Sequence, residues 1–486
     1  MCRLFPIGLL LLILVTICSA ATRCVDVNSP SPAPPYTSWP TAARVIQDAV
    51  DVSVDGDLIQ VTNGIYQTGG RTIEGETTGS RVALTKAVML QSVNGPGVTI
   101  IRGYQVPGTT NGPGAIRCAY LTNGAALFGF TLTNGSTAAT NSQFSSQGPH
   151  EMGGGAECRS IDAVVSNCIV VGNSSSAGGG ATCGTWNNCV FSNNVAASGG
   201  GAFEGLFENC LFVGNQAICG GGLALNLGHP CWVFNCTIVG NSAISNGGGF
   251  TCSVGMIQPA TFMAYNSIIL SNSAPSGGNY SLGDWAKFRG INCCTEPTSG
   301  PFNFTFDPFF VDPGHGDFRL QSNSPCINAG NNGDIFNVPT SVDLAANPRI
   351  SGGTIDVGAY EFQNPPSTLS YAWAQQFGIP TDGSADYVDP DADGLNNWQE
   401  WQAGTDPTNA ASVLKMLGVV PTNNASQLVL TWQSVVDITY VLQFSTNLAS
   451  PFTTLQSNLM SSSTTRDFIA TNATPQVPVF YRVGIQ

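Results

Sequence analysis

Between residues 153 and 295 the chain repeats a short alternating phrase: "CIVVGN", "CVFSNN", "CLFVGN" and "CTIVGN", each preceded by Asn. Strand side chains alternate in direction, so the Cys of each phrase and the residue two places on (Val170, Phe191, Phe212, Ile238) share one face. That face is expected to point inward. Asn-Cys pairs place Cys168, Cys189, Cys210 and Cys236 in series, and Asn266-Ser267 takes the fifth place, with steps of 21, 21, 26 and 31 residues. Gly triplets begin at Gly153, Gly178, Gly199, Gly220 and Gly247, and the closing asparagines are Asn173, Asn194, Asn215, Asn241 and Asn272. Length varies only between these fixed points, as when loops protrude from a stack of equivalent coils. A period near 21 is too short for paired helices, so the repeat predicts a right-handed parallel β-helix with rungs about 4.8 Å apart. Asn in a repeated bend accepts left-handed geometry, its amide can bond the next Asn along the stack, and Gly supplies positive φ at another corner.

The pattern changes at both ends. Ala43, Ile46, Ala49 and Val50 recur at helical spacing, which predicts a short amphipathic helix plugging the first coil, followed by a strand in "DLIQVTNGIY". After Gln363, "NPPSTLS" reads as a linker, "SYAWAQQFG" as a short helix, and the alternating runs from Val413 to Gln486 as about six strands of a small sandwich. The expected fold class is thus all-β: solenoid over 36–363, linker 364–370, short helical module 371–412 and C-terminal β-sandwich 413–486. The first twenty residues put Arg3 before an apolar run ending in small residues, which predicts a cleaved signal peptide over 1–20; lipidation at Cys18 is the alternative. No later segment is long and apolar enough to span a bilayer. The mature chain is expected to be exported, soluble and monomeric.

Composition supports a turn-rich β protein: 9% of the 486 residues are charged and 57 are Gly. A formal charge of −14 leaves phosphate backbones nothing to bind, which argues against nucleic acid. Export would put the remaining cysteines where disulfides persist. The Asn-Cys series nevertheless reads as stacked thiols filling one core level, because consecutive disulfides down such a ladder would be strained. Cys158, Cys183 and Cys252 form a second, interrupted series with Glu204 and Leu225 on the missing rungs. Cys293, Cys294, Cys219, Cys231 and Cys326 are the better disulfide candidates, with partners unassigned.

"DPDADGLNNWQE" carries the candidate metal chemistry. Asp389, Asp391 and Asp393 alternate, Gly394 is sixth and Glu400 twelfth, the spacing of an EF-hand-type Ca²⁺ loop. Three carboxylates bring hard oxygens to a small cation, Gly permits the sharp turn, Leu395 offers its carbonyl, Asn397 can ligate directly or through water, and Glu400 closes the site from the following helix. The segment resembles thrombospondin type-3 and dockerin-like calcium modules, and Asp406 matches their trailing Asp. With one complete loop, a structural role at the joint between solenoid and tail is expected.

"FDPFFVDPGHGDFRLQSNSPCINAG" and "DLAANPRISGGTIDVGAYEFQ" resemble the terminal segment of bacterial surface β-helix proteins with choice-of-anchor Q domains. The Gly-triplet/Asn pattern resembles chlamydial polymorphic outer-membrane repeats and pectin-lyase-like solenoids. That resemblance implies a fold more than an activity. Hydrolysis of a glycosidic bond needs paired carboxylates, and elimination from a uronate needs Ca²⁺ and a Lys or Arg base. Asp-Asp, Asn-Thr-Asp and Arg-Ile-Lys are all missing, and Gly314-His315-Gly316 sits in a Pro-Gly turn. Glu157 and Glu204 could stack on one face; His150-Glu151, His229, Trp232 and Trp285 fall in long loops. No catalytic residue is assigned. The sequence favours a non-catalytic exported β-helix binding polysaccharide or cell-surface glycans, with a polysaccharide lyase or glycoside hydrolase as the alternative.

Overall fold

A computed structural model describes residues 20–485 apart from 139–151, 226–230, 253–260, 285, 299, 301, 335–341, 423–426, 437 and 472–477. The expected signal peptide, His150-Glu151, His229 and Trp285 lie largely or wholly outside the described residues. Within them, three long parallel sheets of ten, nine and eight strands run side by side as the walls of a right-handed parallel β-helix. The first wall runs from Thr22–Val25 to Lys287–Ile291, the second from Gly64–Tyr66 to Cys294–Thr295, and the third from Gly79–Leu84 to Tyr280–Leu282. A shorter fourth sheet of Ser174–Ala177, Val195–Ser198, Gln216–Cys219 and Ser242–Asn246 lines one corner. Thr22–Val25 pairs parallel with Leu58–Val61, so ladder pairing begins ahead of residue 36.

The repeated phrases stack in register: Val190 pairs with Leu211, Phe191 with Phe212, and Phe212 with Ile238. Val170, Phe191, Phe212 and Ile238 are fully buried, as alternation requires. Phe191 and Phe212 stack face to face at 4.5 Å, with the Trp186 ring edge-on to Phe191 at 5.1 Å. Two asparagine series divide the work that one was expected to do. The Asn before each Cys takes the left-handed bend, with φ of 51° at Asn167, 53° at Asn188 and 49° at Asn209. The closing Asn forms the amide ladder: Asn173 donates from its backbone N (3.0 Å) and Nδ2 (3.1 Å) to Asn194 Oδ1, and Asn194 does the same to Asn215 at 3.1 and 3.0 Å. Each ladder Nδ2 also donates to a carbonyl of an adjoining coil, as Asn194 does to Val170 at 2.9 Å. The buried amides of the closing series are thereby satisfied from rung to rung. In the triplets, Gly199 has φ +66°, and a Cβ on Gly200 would lie 2.5 Å from the carbonyls of Gln216 and Gly221. Only Gly lets the coils approach there.

All fourteen cysteines from Cys24 onward are thiols in this structure. Each ladder thiol donates to the carbonyl two residues back, for example Cys210 to Glu208 at 3.2 Å, and Ser267 Oγ does so to Tyr265 at 2.7 Å. Cys293 is a further rung, donating to Ile291 at 3.3 Å after Asn292 in the left-handed bend. It belongs to the ladder. Cys219 sits in the corner sheet and Cys231 in the first wall, paired in register with Ser198 and Gly205 respectively.

The helix Ile46–Asp51 (α1) buries Ile46, Gln47, Ala49 and Val50 against the first coils. Beyond the last coil, part of the segment from 326 to 362 lies along the outside of the second wall, where Asn188 Nδ2 donates to Asp343 O at 2.9 Å and Ala359 N to Thr237 Oγ1 at 3.0 Å. Its apolar residues close over outward-facing Leu211, Val239, Ile268 and Leu270. Residues 364–370 are pinned as well, since Asn328 Nδ2 donates to Ser367 O and Ser367 Oγ to Asp386 Oδ1. Two short helices follow, Tyr371–Phe377 (α2) and Asn397–Ala403 (α3). The tail is two three-stranded antiparallel sheets around one core containing Leu430, Trp432, Tyr440 and Leu442.

Candidate functional site

The loop before α3 folds around its own carboxylates. Asp389 accepts from Ala392 N (2.8 Å) and Gly394 N (3.1 Å), Asp391 from Asp393 N (3.3 Å) and Asp393 from Leu395 N (2.8 Å). These bonds wind the backbone into a tight turn, with Gly394 at φ +97°. Asn396 and Gln399 then form a reciprocal capping box, so α3 starts immediately and carries Asn397 and Glu400 inward one turn apart. Side-chain oxygens of Asp389, Asp391 and Asp393 lie within 4.8 Å of one another. Asn397 Nδ2 donates to Ala385 O at 2.9 Å, which fixes the direction of its amide oxygen.

After these bonds, Asp391 Oδ2, Asp393 Oδ2, Asn397 Oδ1 and Glu400 Oε2 are buried without a hydrogen-bond partner. Burial and the neighbouring charges of Asp391, Asp393 and Asp389 push the Glu400 carboxyl up to about 7. Orphaned oxygens and mutually repelling carboxylates are costly unless something positive balances them. This donor set of hard oxygens fits a hard divalent cation. Leu395 lies at the exit of the loop, half-buried. Asp406 is not drawn in, because its Oδ1 accepts from Thr408 N and Oγ1 in a turn of its own.

Two contributors had no spacing signal. Asp386 is buried and accepts from Ser367 Oγ (2.7 Å) and Thr368 N (2.9 Å), tying the module to the solenoid side. Thr405 Oγ1 donates to Glu400 Oε1 at 3.3 Å and also lines a cavity of about 590 Å³ between the helices and the tail. Trp373, Phe377, Phe302 and Tyr440 supply aromatic surface there, and Gln376 and Gln433 supply amides.

On the third wall the structure gathers a cluster that sequence order concealed. Arg117 Nη2 lies 2.7 Å from Glu157 Oε2, Arg159 Nη1 lies 2.9 Å from Glu157 Oε1, and Glu76 stands 3.8 Å from both arginines. Burial raises the Glu157 carboxyl while Arg117 pulls it back. Glu204 does not stack on Glu157, which is in register with Thr182 and through it with Phe203. His315 is exposed in a short turn with Nδ1 2.8 Å from Asp312 Oδ2. Trp232 sits within a strand of the first wall, between Leu206 and Met263.

No family model matches the chain, and no curated protein matches it. Among solved structures it is similar to pectate lyase Pel9A, at 15% identity and TM-score 0.45 over 70% of this chain and 97% of that one. It is also similar to pectin methylesterase PemA from Erwinia chrysanthemi (11%, TM-score 0.34, 62% and 99%) and to pectin methylesterase from carrot (11%, 0.30, 53% and 82%). These likenesses concern the fold. Among the described residues, no helix is long and apolar enough to cross a membrane.

Proposed function

We propose that the chain is an exported, non-catalytic β-helix protein of a bacterial surface or its surroundings, which binds glycan at the joint between solenoid and tail and uses one structural Ca²⁺ there. Asp389, Asp391, Asp393, Asn397 and Glu400, with the Leu395 carbonyl, would hold the ion. Bound Ca²⁺ would neutralise the convergent carboxylates. The observation that carries this reading is Thr405, whose hydroxyl bonds Glu400 and which is among the residues that line the cavity. Fixing Glu400 therefore fixes one wall of a space with the aromatic faces and amides that suit sugar rings.

The test is a screen of acidic and neutral polysaccharides against the full chain in Ca²⁺, repeated in chelator and with Trp373→Ala. Binding that weakens in both supports the reading. No ligand at all, or binding indifferent to Trp373, removes it.

A second reading, a polysaccharide lyase or glycoside hydrolase, is favoured by the four convergent charges of Glu76, Arg117, Glu157 and Arg159 on one wall. It predicts unsaturated uronate or new reducing ends from a polysaccharide, lost in Glu157→Gln. A substrate panel yielding neither product leaves the cluster as an internal ion-pair lattice.

A further inference from the structure

The cavity at the joint is set apart by its charge. Of the described residues that line it none is Lys, Arg or His, and Asp406 is the one carboxylate. Lys415 follows the lining residues Val413 and Leu414 in sequence and is not among them. The surroundings have the same sign: residues 371–412 carry seven Asp and Glu side chains and no Lys or Arg, so one bound Ca²⁺ would leave five negative charges unbalanced. A cleft whose charges share one sign draws in the opposite ion and repels the like one.

Asp406, which the metal loop leaves out, keeps one oxygen open. Its Oδ1 accepts from Thr408 N at 3.0 Å and from Thr408 Oγ1 at 2.7 Å, and its Oδ2 takes no hydrogen bond from the described residues. Aromatic faces stand in the same lining. Trp373 and Phe377, four residues apart on α2 and half-buried, hold their rings 5.2 Å apart at 59°, and Phe302 is 48% exposed. An aromatic face attracts a cation through its negative quadrupole, most strongly for Trp. A uronate entering this space would give up hydration and meet another carboxylate, with no cation to receive it.

We propose that the cavity selects a protonated amine: its ligand is a glycan with free amino sugars, the ammonium set against Asp406 and the ring faces of Trp373 and Phe377. Neutral sugars then bind more weakly and acidic ones are refused, so discrimination comes from repulsion as well as attraction. This inference rests on the glycan reading above and narrows it.

The test titrates the full chain in Ca²⁺, at a pH that keeps the amine protonated, with three oligosaccharides of equal length: oligoglucosamine, its N-acetylated counterpart and oligogalacturonate. Calorimetry should rank oligoglucosamine first, the N-acetylated form weaker by roughly tenfold or more, and the uronate without detectable binding. Added salt should weaken the first and leave the second unchanged. Asp406→Asn keeps an acceptor for the Thr408 turn and should bring the amino form down to the level of the N-acetylated one; if that variant fails to fold, the salt series on the unsubstituted chain decides. Equal affinity for the amino and N-acetylated forms, or preference for the uronate, overturns the amine assignment and leaves the glycan reading standing. No binding of any of the three also overturns it, and the Trp373→Ala comparison in the wider polysaccharide screen then decides the glycan reading separately.

Discussion

Two carboxylate clusters lie within sixty residues of each other, and they are partnered in opposite ways. In the outer segment, Asp343 accepts from Ala345, Asn347 and Glu361 N, Asp356 from Asn328 and Phe362 N, and Glu361 from Ser351 and Asp356 N. Arg349 sits among them and donates to the carbonyls of Asp356 and Gly358. The loop at 389–400 also turns backbone N–H groups onto its carboxylates, yet four of its oxygens remain buried and unpartnered. Burial and clustering alone do not mark a site, because the deeper cluster is scaffold. What separates them is where the remaining lone pairs point.

The largest effect should come from Asp356→Ala, which removes the acceptor of two buried N–H groups and the carboxylate that neighbours Arg349. A loss of about 3–5 kcal/mol is expected, read by denaturant unfolding of the full chain. The matching change at the other cluster, Asp391→Ala in chelator, should cost almost nothing or stabilise, since it relieves like-charge repulsion around Glu400. Equal destabilisation by the two would break the comparison. Next in size is the metal itself. Ca²⁺ at a hundred times its dissociation constant would stabilise the folded state by about 2.7 kcal/mol. Hydrogen exchange over 371–412 should slow with Ca²⁺ and return to the chelated rate in Glu400→Gln, with little change over 343–361.

The parts legible in sequence were those set by local spacing. Period-two alternation placed Val170, Phe191, Phe212 and Ile238 inward, and the loop's alternating aspartates, glycine and glutamate marked the convergent oxygens. Contacts between distant segments stayed hidden. Glu76, Arg117 and Glu157 meet only because coils of unequal length stack, and no period relates them. Asn292-Cys293 escaped notice as a rung because the next ladder amide after Asn272 is Asn279, only seven residues on, and donates no regular step to find. The seat of the outer segment was equally hidden, because nothing in its spacing shows that its apolar side chains cover Leu211, Val239, Ile268 and Leu270 on the outer face of the second wall.

A smaller effect is expected from pH. Burial raises the Asp356 and Glu361 carboxyls, with the Asp343 charge adding to the rise at Asp356 and the Asp356 charge to that at Glu361, so the folded chain holds protons that the unfolded chain has released. Stability from this pair is fully present below the ordinary carboxylate range and declines as pH rises through the raised native values. Unfolding free energy should therefore fall from acidic to alkaline pH in a chelated sample, with a shallower slope in Glu361→Gln. A rising free energy over that interval would contradict the assignment.

The smallest effect should be Cys210→Ser, which asks whether partnering outweighs polarity inside the solenoid itself. A buried hydroxyl is costly only when its lone pairs and proton find no partner. Glu208 O already accepts from Cys210 Sγ, and the ladder contains its own precedent: Ser267 Oγ donates to Tyr265 O and accepts from Cys236 N at 3.0 Å. The substitution is therefore expected to change unfolding free energy by no more than about 1 kcal/mol. Cys210→Leu, which adds apolar bulk between rungs fixed by backbone pairing, should cost more, about 1–3 kcal/mol. The opposite order would mean that the ladder selects for apolar character, and that partner geometry does not separate scaffold from site here.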